Sequence, residues 1–239
     1  MTPRERHSPN FNARPAGAPI DMLVLHYTGM RTAEEAIDRL CDPAAKVSAH
    51  YVIEEDGTVW RLVAEENRAW HAGVSSWQGS TDVNGASIGI ELVNPGHEWG
   101  YRDFPEAQMA ALEALARGIL GRHPIPGDRV VGHSDVAPLR KQDPGERFDW
   151  RRLACAGIGI WPEDATASPP RTIAEIQSAL VQIGYGVPRS EMLDEDTRAA
   201  LTAFQRHFRP ARCDGVLDAQ SAARIGAVAR AVGALRRAR

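Results

Sequence analysis

Two histidines and one aspartate of this 239-residue sequence have the chemistry of a metal site. His26 ends one apolar segment, His133 directly follows another, and Asp143 stands ten residues after His133. Imidazole and carboxylate groups are good zinc ligands, and a catalytic zinc site keeps three protein ligands and one position for water. The spacing alone leaves a hydrogen-bonded structural role open, because no His-Glu-x-x-His helix or paired Cys motif fixes two ligands locally.

The segments around these residues predict strands that alternate with helices. Asp56-Gly57 favours a tight hairpin turn, a capping-box pattern opens a helix over residues 32–40, and a second helical pattern follows Pro105. Apolar runs typical of buried strands cover residues 21–26, 49–54, 58–62, 87–92 and 129–132. We therefore expect an α/β fold, with a mixed β-sheet flanked by helices.

The chain changes character after Pro162. Residues 163–171 are small and polar and include prolines, which is typical of a linker, and the remainder shows the pattern of three helices. If the linker separates independent units, the first segment should fold on its own. The predicted domains are a catalytic domain at 1–162 with its core at 20–150, a linker at 163–171, and a small all-α three-helix domain at 172–239.

Composition and charge argue against several classes of function. Lys and Arg total 28 against 31 Asp and Glu, and a net charge of −3 gives no support to nucleic-acid binding. No apolar run is long enough for a transmembrane segment, and three scattered cysteines do not form a disulfide framework. The N-terminus shows neither a secretory nor a lipoprotein signal. We therefore expect a cytoplasmic protein, with the periplasm as the alternative.

Six sequence blocks occur in order within residues 20–150. They are His26-Tyr-Thr, Ser48-Ala-His-Tyr51, Arg68-Ala-Trp-His-Ala-Gly-Val-Ser-Ser-Trp77, Ser87-Ile-Gly-Ile-Glu-Leu92, Gly132-His-Ser-Asp-Val-Ala-Pro138 and Arg140-Lys-Gln-Asp-Pro-Gly145. Together they resemble the type 2 zinc-dependent N-acetylmuramoyl-L-alanine amidases, a family that shares its fold with the peptidoglycan recognition proteins. The resemblance implies hydrolysis of the amide bond between N-acetylmuramic acid, or its 1,6-anhydro form, and L-alanine of the stem peptide, in peptidoglycan recycling or remodelling.

The resemblance also implies the residues of the active site. It makes His26, His133 and Asp143 the ligands of one zinc ion per chain. It assigns Glu91 to the proton of the attacking water and Lys141 to the oxyanion, and both roles suit amide hydrolysis. From the residues alone, Glu91 could instead be a solvent-facing glutamate at a strand end, and Lys141 a solvated loop lysine.

Four further residues are predicted to bind the substrate. The loop around His71 resembles the substrate groove of the family, and aromatic faces beside an imidazole suit a ligand that joins sugar to peptide. Ordinary packing of a long loop is the alternative. Tyr51 follows His50 on a predicted strand, and its alternative is a plain core position. The predicted substrate-binding residues are Tyr51, His71, Trp77 and Asn84.

Residues 172–230 resemble a three-helix peptidoglycan-binding domain. The Asp-Gly-x-Phe-Gly turn of that family is replaced here by residues 188–193, so that a purely structural or dimerising role stays open. The expected partners are muropeptides, including 1,6-anhydromuropeptides, or the cell-wall polymer. Two alternatives to an amidase remain, namely a non-catalytic peptidoglycan-binding protein of the same fold and a zinc hydrolase of another amide.

Overall fold

The computed structural model of the chain describes residues 2–163, 170 and 172–239, so that the predicted linker lies outside the described residues apart from Glu163 and Pro170. The strands are β1 (Arg4–Glu5), β2 (Phe11–Ala13), β3 (Met22–Tyr27), β4 (Tyr51–Ile53), β5 (Val59–Arg61), β6 (Asn67–Ala69), β7 (Ser87–Leu92) and β8 (Val130–Gly132). The helices are α1 (Ala33–Cys41), α2 (Val83–Ala86), α3 (Gly96–Trp99), α4 (Glu106–Arg122), α5 (His133–Val136), α6 (Trp150–Cys155), α7 (Ile173–Ile183), α8 (Glu195–Phe208) and α9 (Ala219–Arg237). Within the described part of the chain, no helix combines the length and the apolar character that crossing a membrane requires.

Six of these strands form one mixed sheet, in the order β1-β5-β4-β7-β3-β8. Strand β3 is parallel to both of its neighbours, β7 and β8, and β4 is parallel to β7. Strands β4 and β5 form the antiparallel hairpin predicted at Asp56-Gly57, and β2 and β6 form a separate antiparallel pair. The structure confirms the predicted mixed sheet flanked by helices.

The two central strands of this sheet direct alternate side chains to opposite faces. Leu23, Leu25, Ile88 and Ile90 lie on the face covered by α4, where they form a buried cluster with Leu112. The residues between them point to the second face, namely Met22, Val24 and His26 from β3 and Ser87, Gly89 and Glu91 from β7. The polar end of this second face contains the candidate site.

Residues 172–239, called here the helical segment, form three helices as predicted. The Thr172 hydroxyl accepts a hydrogen bond from the Glu175 N–H group, and the Glu175 carboxylate accepts one from the Thr172 N–H group. Asp194 and Asp218 cap the next two helices, and each side chain accepts a hydrogen bond from the N–H group three residues on. Gly184 ends α7 with a φ of 149°, a conformation that favours glycine.

The helical segment does not pack as an independent unit. Its apolar faces and the second face of the sheet form one buried cluster, in which a Cβ at Gly184 would lie 2.5 Å from the Trp77 ring. The shared cluster argues against a first segment that folds on its own, which stays a prediction, because the sequence shows which residues are apolar but not what covers them. The cluster includes Met22, Val24, Val131 and Val136 from the first segment, and Ile176, Leu180, Tyr185, Phe204 and Val228 from the helical segment.

Candidate metal centre and active site

The carboxyl ends of neighbouring strands bring the predicted metal ligands together. His26 lies near the end of β3, His133 follows β8 and begins α5, and Asp143 lies in the loop after α5. Because β3 and β8 are parallel, their carboxyl ends meet at the same edge of the sheet. The loop returns to this edge, where the Ser134 N–H group donates a 2.9 Å hydrogen bond to the Asp143 carbonyl group.

Three metal-binding atoms converge at this edge. His26 Nδ1 lies 3.0 Å from His133 Nδ1 and 3.1 Å from Asp143 Oδ2, and His133 Nδ1 lies 3.0 Å from Asp143 Oδ2. All three residues are buried. Zinc bonds of about 2.0–2.1 Å put neighbouring ligand atoms of a tetrahedral site about 3.3 Å apart. The triangle therefore has the size that a small divalent cation requires.

The protonation of these groups leaves lone pairs facing one another. His133 Nε2 lies 3.1 Å from the Ala72 carbonyl oxygen, which can only accept, so a neutral His133 ring has its lone pair on Nδ1. Burial, with His133 as the next cause, lowers the pKa of His26 to about 4, and burial followed by His26 lowers the pKa of His71 well below its ordinary value. Burial alone would raise the pKa of Asp143, but His133 and then His26 hold it well below its ordinary value. Two imidazoles and a carboxylate make a donor set that fits a divalent metal ion.

Glu91 adds an unpartnered carboxylate oxygen at the same edge. It is the cross-strand neighbour of His26, and its Oε2 atom is buried with no hydrogen-bond partner among the described residues. Burial raises the pKa of Glu91 well above its ordinary value, the charge of Asp143 raises it further, and the charge of Lys141 opposes both. Such a carboxyl group is suited to accept and release a proton.

A cleft of about 370 Å³ opens onto these groups. Its lining includes the predicted metal ligands His133 and Asp143 together with Glu91 and Lys141. Lys141 lines this cleft, and its charge lowers the pKa of both Glu91 and His26. The predicted catalytic and metal-binding residues thus meet at one cleft.

Three of the predicted substrate-binding residues make contacts inside the protein that the sequence did not predict. His71 lines the cleft, but its ring also contacts the predicted metal ligand His26. Trp77 is 2% exposed, donates its Nε1–H group to a backbone carbonyl, and packs against the Tyr185 ring. Asn84 is buried, and its Oδ1 atom accepts from the N–H groups of His71 (3.1 Å) and Ala72 (2.8 Å). Trp77 therefore belongs to the core, and Asn84 holds the backbone beside the candidate metal site.

Tyr51 lies on the opposite face of the sheet. Its hydroxyl group donates a 2.7 Å hydrogen bond to Glu65 Oε1, and its ring belongs to the cluster under α4. The preceding residue, His50, faces the site, with its ring centre 5.7 Å from that of His71. Because successive strand residues point to opposite faces, the structure does not bring Tyr51 to the cleft.

Three groups beside the site were not predicted from the sequence. The Ala72 carbonyl accepts from His133, Ser87 Oγ contacts His71, and Gly89 leaves space for the His71 ring. The residue type at position 72 does not indicate the role of its backbone carbonyl group, and a serine at the start of a predicted strand does not indicate a contact with a histidine. The glycine in the middle of a predicted strand is a usable signal, since glycine there often marks the close approach of other atoms.

Known protein families match both segments. The N-acetylmuramoyl-L-alanine amidase family matches residues 16–146, and a family of peptidoglycan-binding domains matches residues 171–225. The N-acetylmuramoyl-L-alanine amidase AmiD of Escherichia coli is 38% identical over 225 residues, which covers 85% of this chain and 80% of AmiD. The 1,6-anhydro-N-acetylmuramyl-L-alanine amidase AmpD of Haemophilus influenzae is 36% identical over 167 residues, which covers 62% of this chain and 89% of AmpD.

Two solved structures resemble the whole fold. The complex of E. coli AmiD with anhydro-N-acetylmuramic acid-L-Ala-D-γ-Glu-L-Lys has a TM-score of 0.81 and 36% identity, and the match covers 93% of each chain. The complex of AmpDh3 from Pseudomonas aeruginosa with an anhydromuramic pentapeptide has a TM-score of 0.79 and 36% identity, and covers 93% of this chain and 96% of AmpDh3. With this coverage, the likeness extends over the sheet and the helical segment.

Proposed function

The chain belongs to the N-acetylmuramoyl-L-alanine amidase family, and from this membership we propose that His26, His133 and Asp143 hold one zinc ion at its active site. The enzyme hydrolyses the amide bond between N-acetylmuramic acid, or its 1,6-anhydro form, and the L-alanine of the stem peptide. One observation carries the proposal for the metal. Three buried metal-binding atoms lie within 3.1 Å of one another, beside a carboxylate oxygen of Glu91 that has no hydrogen-bond partner among the described residues.

Each group at the cleft has a defined task in amide hydrolysis. A bound zinc ion supplies a Lewis acid that lowers the pKa of water and polarises the scissile carbonyl group. Glu91 takes the proton of the attacking water and passes it to the nitrogen of the departing amine. The ammonium group of Lys141 stabilises the negative charge that develops on the carbonyl oxygen.

The surroundings of Glu91 support its role in proton transfer. A group that first accepts and then donates a proton works best with a pKa near the working pH. Burial raises the pKa of Glu91 above the range of exposed glutamates, and the charge of Lys141 limits the rise. The unpartnered Oε2 atom leaves a position at which the proton can bind.

We further propose that the substrate is a soluble 1,6-anhydromuropeptide. The name of AmpD specifies a 1,6-anhydro-N-acetylmuramyl-L-alanine substrate, and the AmiD and AmpDh3 complexes contain anhydromuramyl peptides. We expect kcat/KM to be at least about tenfold higher on anhydromuropeptides than on intact sacculi, which corresponds to about 1.4 kcal/mol of differential transition-state binding. Equal rates, or a preference for sacculi, would favour a wall-remodelling enzyme. The cytoplasmic location stays a prediction, and fractionation of the native cell tests it.

We also propose a catalytic domain at residues 1–162 and a helical domain at 172–239. The family matches at 16–146 and 171–225 support these bounds. Because the two domains share a buried cluster, the helical domain covers the second face of the sheet beside the site. The helical domain therefore stabilises the catalytic domain through this cluster, whether or not it also binds wall glycan.

Product analysis tests the zinc amidase directly. The full chain is incubated with purified anhydromuropeptides, with and without a chelator, and the products are identified by mass spectrometry. We expect free stem peptide beginning with L-alanine and free anhydromuramyl sugar, with loss of turnover in chelator and recovery on addition of zinc. Cleavage at another bond, or full turnover in metal-free protein, would contradict the proposal.

A further inference from the structure

A series of hydrogen bonds connects the backbone of α2 to His71. Ser87 Oγ lies 2.6 Å from the Val83 carbonyl oxygen and 3.1 Å from His71 Nε2. Two oxygens approach this closely only with a proton between them, and a carbonyl group has none, so the Ser87 hydroxyl donates to Val83. The Ser87 oxygen must then accept from His71, which places the proton of the neutral His71 ring on Nε2.

The position of this proton determines the next hydrogen bond. With its proton on Nε2, the neutral His71 ring has a lone pair on Nδ1, and this atom lies 3.1 Å from His26 Nε2. His26 must therefore donate from Nε2, and its own lone pair is on Nδ1. Nδ1 is the atom of His26 that faces His133 and Asp143.

We propose that His71 is a positioning residue that holds His26 in the tautomer able to bind zinc. This inference rests on the zinc site proposed above and extends it to a residue that touches the ligand rather than the metal. Metal-binding histidines commonly donate their second N–H group to a carboxylate or a carbonyl group, and such partners orient the ring. Here a second imidazole takes that place. The geometry thus gives His71 a different role from the substrate binding predicted for its loop.

The fold builds this arrangement with two further residues. Asn84 Oδ1 accepts hydrogen bonds from the N–H groups of both His71 and Ala72. One amide group thus positions the His71 ring, which contacts His26, and the Ala72 carbonyl group, which contacts His133. A Cβ at Gly89 would lie 2.4–2.6 Å from three atoms of the His71 ring. The backbone of Gly89 does not have a positive φ, so it is the His71 ring and not the backbone that requires glycine at this position.

The zinc affinity of His71 variants tests the proposal. His71→Asn keeps an acceptor atom two bonds from Cβ, as Nδ1 is, whereas His71→Leu fills similar space without an acceptor. The zinc dissociation constant of the full chain is measured by competition with a chromophoric chelator, and thermal unfolding of the metal-free protein reports on folding. We expect about 10–100-fold weaker zinc binding in His71→Leu and recovery of most of the affinity in His71→Asn. His7→Leu, which changes an exposed histidine, should bind zinc like the parent.

Gly89→Ala gives a second test that leaves His71 in place. The added methyl group displaces the His71 ring, so that zinc affinity should fall. In the His71→Ala background no ring meets the methyl group, and Gly89→Ala should then have no further effect on zinc affinity.

Several outcomes would overturn the inference. Parent-like zinc affinity in His71→Leu would do so, and so would equally weak zinc binding in His71→Leu and His71→Asn. A raised KM with unchanged zinc affinity would identify His71 as a substrate-binding residue instead. If His71→Leu does not fold, the Gly89→Ala pair decides. A parent protein that binds no zinc would overturn the proposed metal centre itself, which is a different result.

Discussion

The hydroxyl group of Tyr185 donates a 2.6 Å hydrogen bond to Oδ1 of Asp135, two residues after the proposed metal ligand His133. The other carboxylate oxygen of Asp135 accepts from the Gly132 N–H group at 2.8 Å and lies 2.7 Å from His207 Nδ1. Tyr185 and His207 belong to the helical segment, whereas Asp135 lies in the short helix that begins with His133. The buried carboxylate of Asp135 therefore connects the helical segment to the turn that positions the proposed metal ligand His133.

Loss of this hydrogen bond should destabilise the whole chain. Tyr185→Phe leaves Asp135 Oδ1 buried without its donor, and a buried acceptor without a partner costs about 1–3 kcal/mol. Urea unfolding followed by circular dichroism measures the change in the free energy of unfolding. An unchanged value would show that the bond contributes nothing to stability.

Removal of the helical segment should expose the apolar second face of the sheet. A chain that ends at Glu163 uncovers Met22, Val24, Val131 and Val136, and we expect it to aggregate or to unfold at a lower temperature than the full chain. Light scattering and thermal unfolding compare the two proteins. A monomeric shortened chain with the melting temperature and zinc content of the full chain would instead show that the catalytic domain folds on its own.

Asp143 should be required for metal binding. Asp143→Ala removes one of the three converging ligand atoms, and we expect the zinc content to fall from about one ion per chain to a small fraction of it. Elemental analysis of the purified protein measures this content. Asp103→Ala is a matched control, because the side chain of Asp103 is 83% exposed. Full zinc occupancy in Asp143→Ala would remove Asp143 from the site.

Glu91 should be required for turnover but not for metal binding. Glu91→Gln keeps the shape of the side chain and removes its ability to accept a proton, so kcat should fall by about 10²–10⁴-fold while zinc is retained. Steady-state kinetics on a muropeptide and metal analysis of the same sample measure both effects. Glu34→Gln changes an exposed glutamate and should leave both unchanged. Near-parental turnover in Glu91→Gln would mean that another group moves the proton.

The stabilising effect of Glu65 should disappear in acid. Burial alone would raise its pKa, but hydrogen bonds from Arg122, Tyr51 and His123 lower the pKa from 4.5 to about 2. A carboxyl group whose pKa is lower in the folded chain stabilises the fold above pH 4.5, and this contribution is lost as the pH falls from about 4.5 to 2.

Glu65→Gln should therefore be less stable than the parent at pH 6, and the difference should shrink as the pH falls below about 4.5. Thermal unfolding of both proteins at intervals from pH 6 down to about pH 2 measures the difference. A constant difference across the range would contradict the assignment.

Much of the local structure could be predicted from the sequence. The strand predicted at 87–92 has the same bounds in the structure, and Thr172, Asp194 and Asp218 each cap the helix that follows. These features depend on the types and spacing of residues within one short segment, so the sequence contains them directly. The resemblance of six blocks likewise pointed to His26, His133 and Asp143, whose ligand atoms the structure brings within 3.1 Å of one another.

Contacts between distant segments were decided by the tertiary structure. Strands β1 and β2 were not predicted, because they are short and exposed and become strands only by pairing with β5 and β6. The face of the sheet on which Tyr51 lies could not be predicted from the sequence either. All three residues of β4 are buried, so the strand does not alternate between apolar and polar residues. The roles of His71 and Asn84 depend on their contacts with His26 and Ala72. The role of Trp77 depends on Tyr185 of the helical segment, which is 108 residues away along the chain. A hydrogen bond or a buried contact of this kind exists only once separate elements have packed together, so residue types along one segment do not contain it.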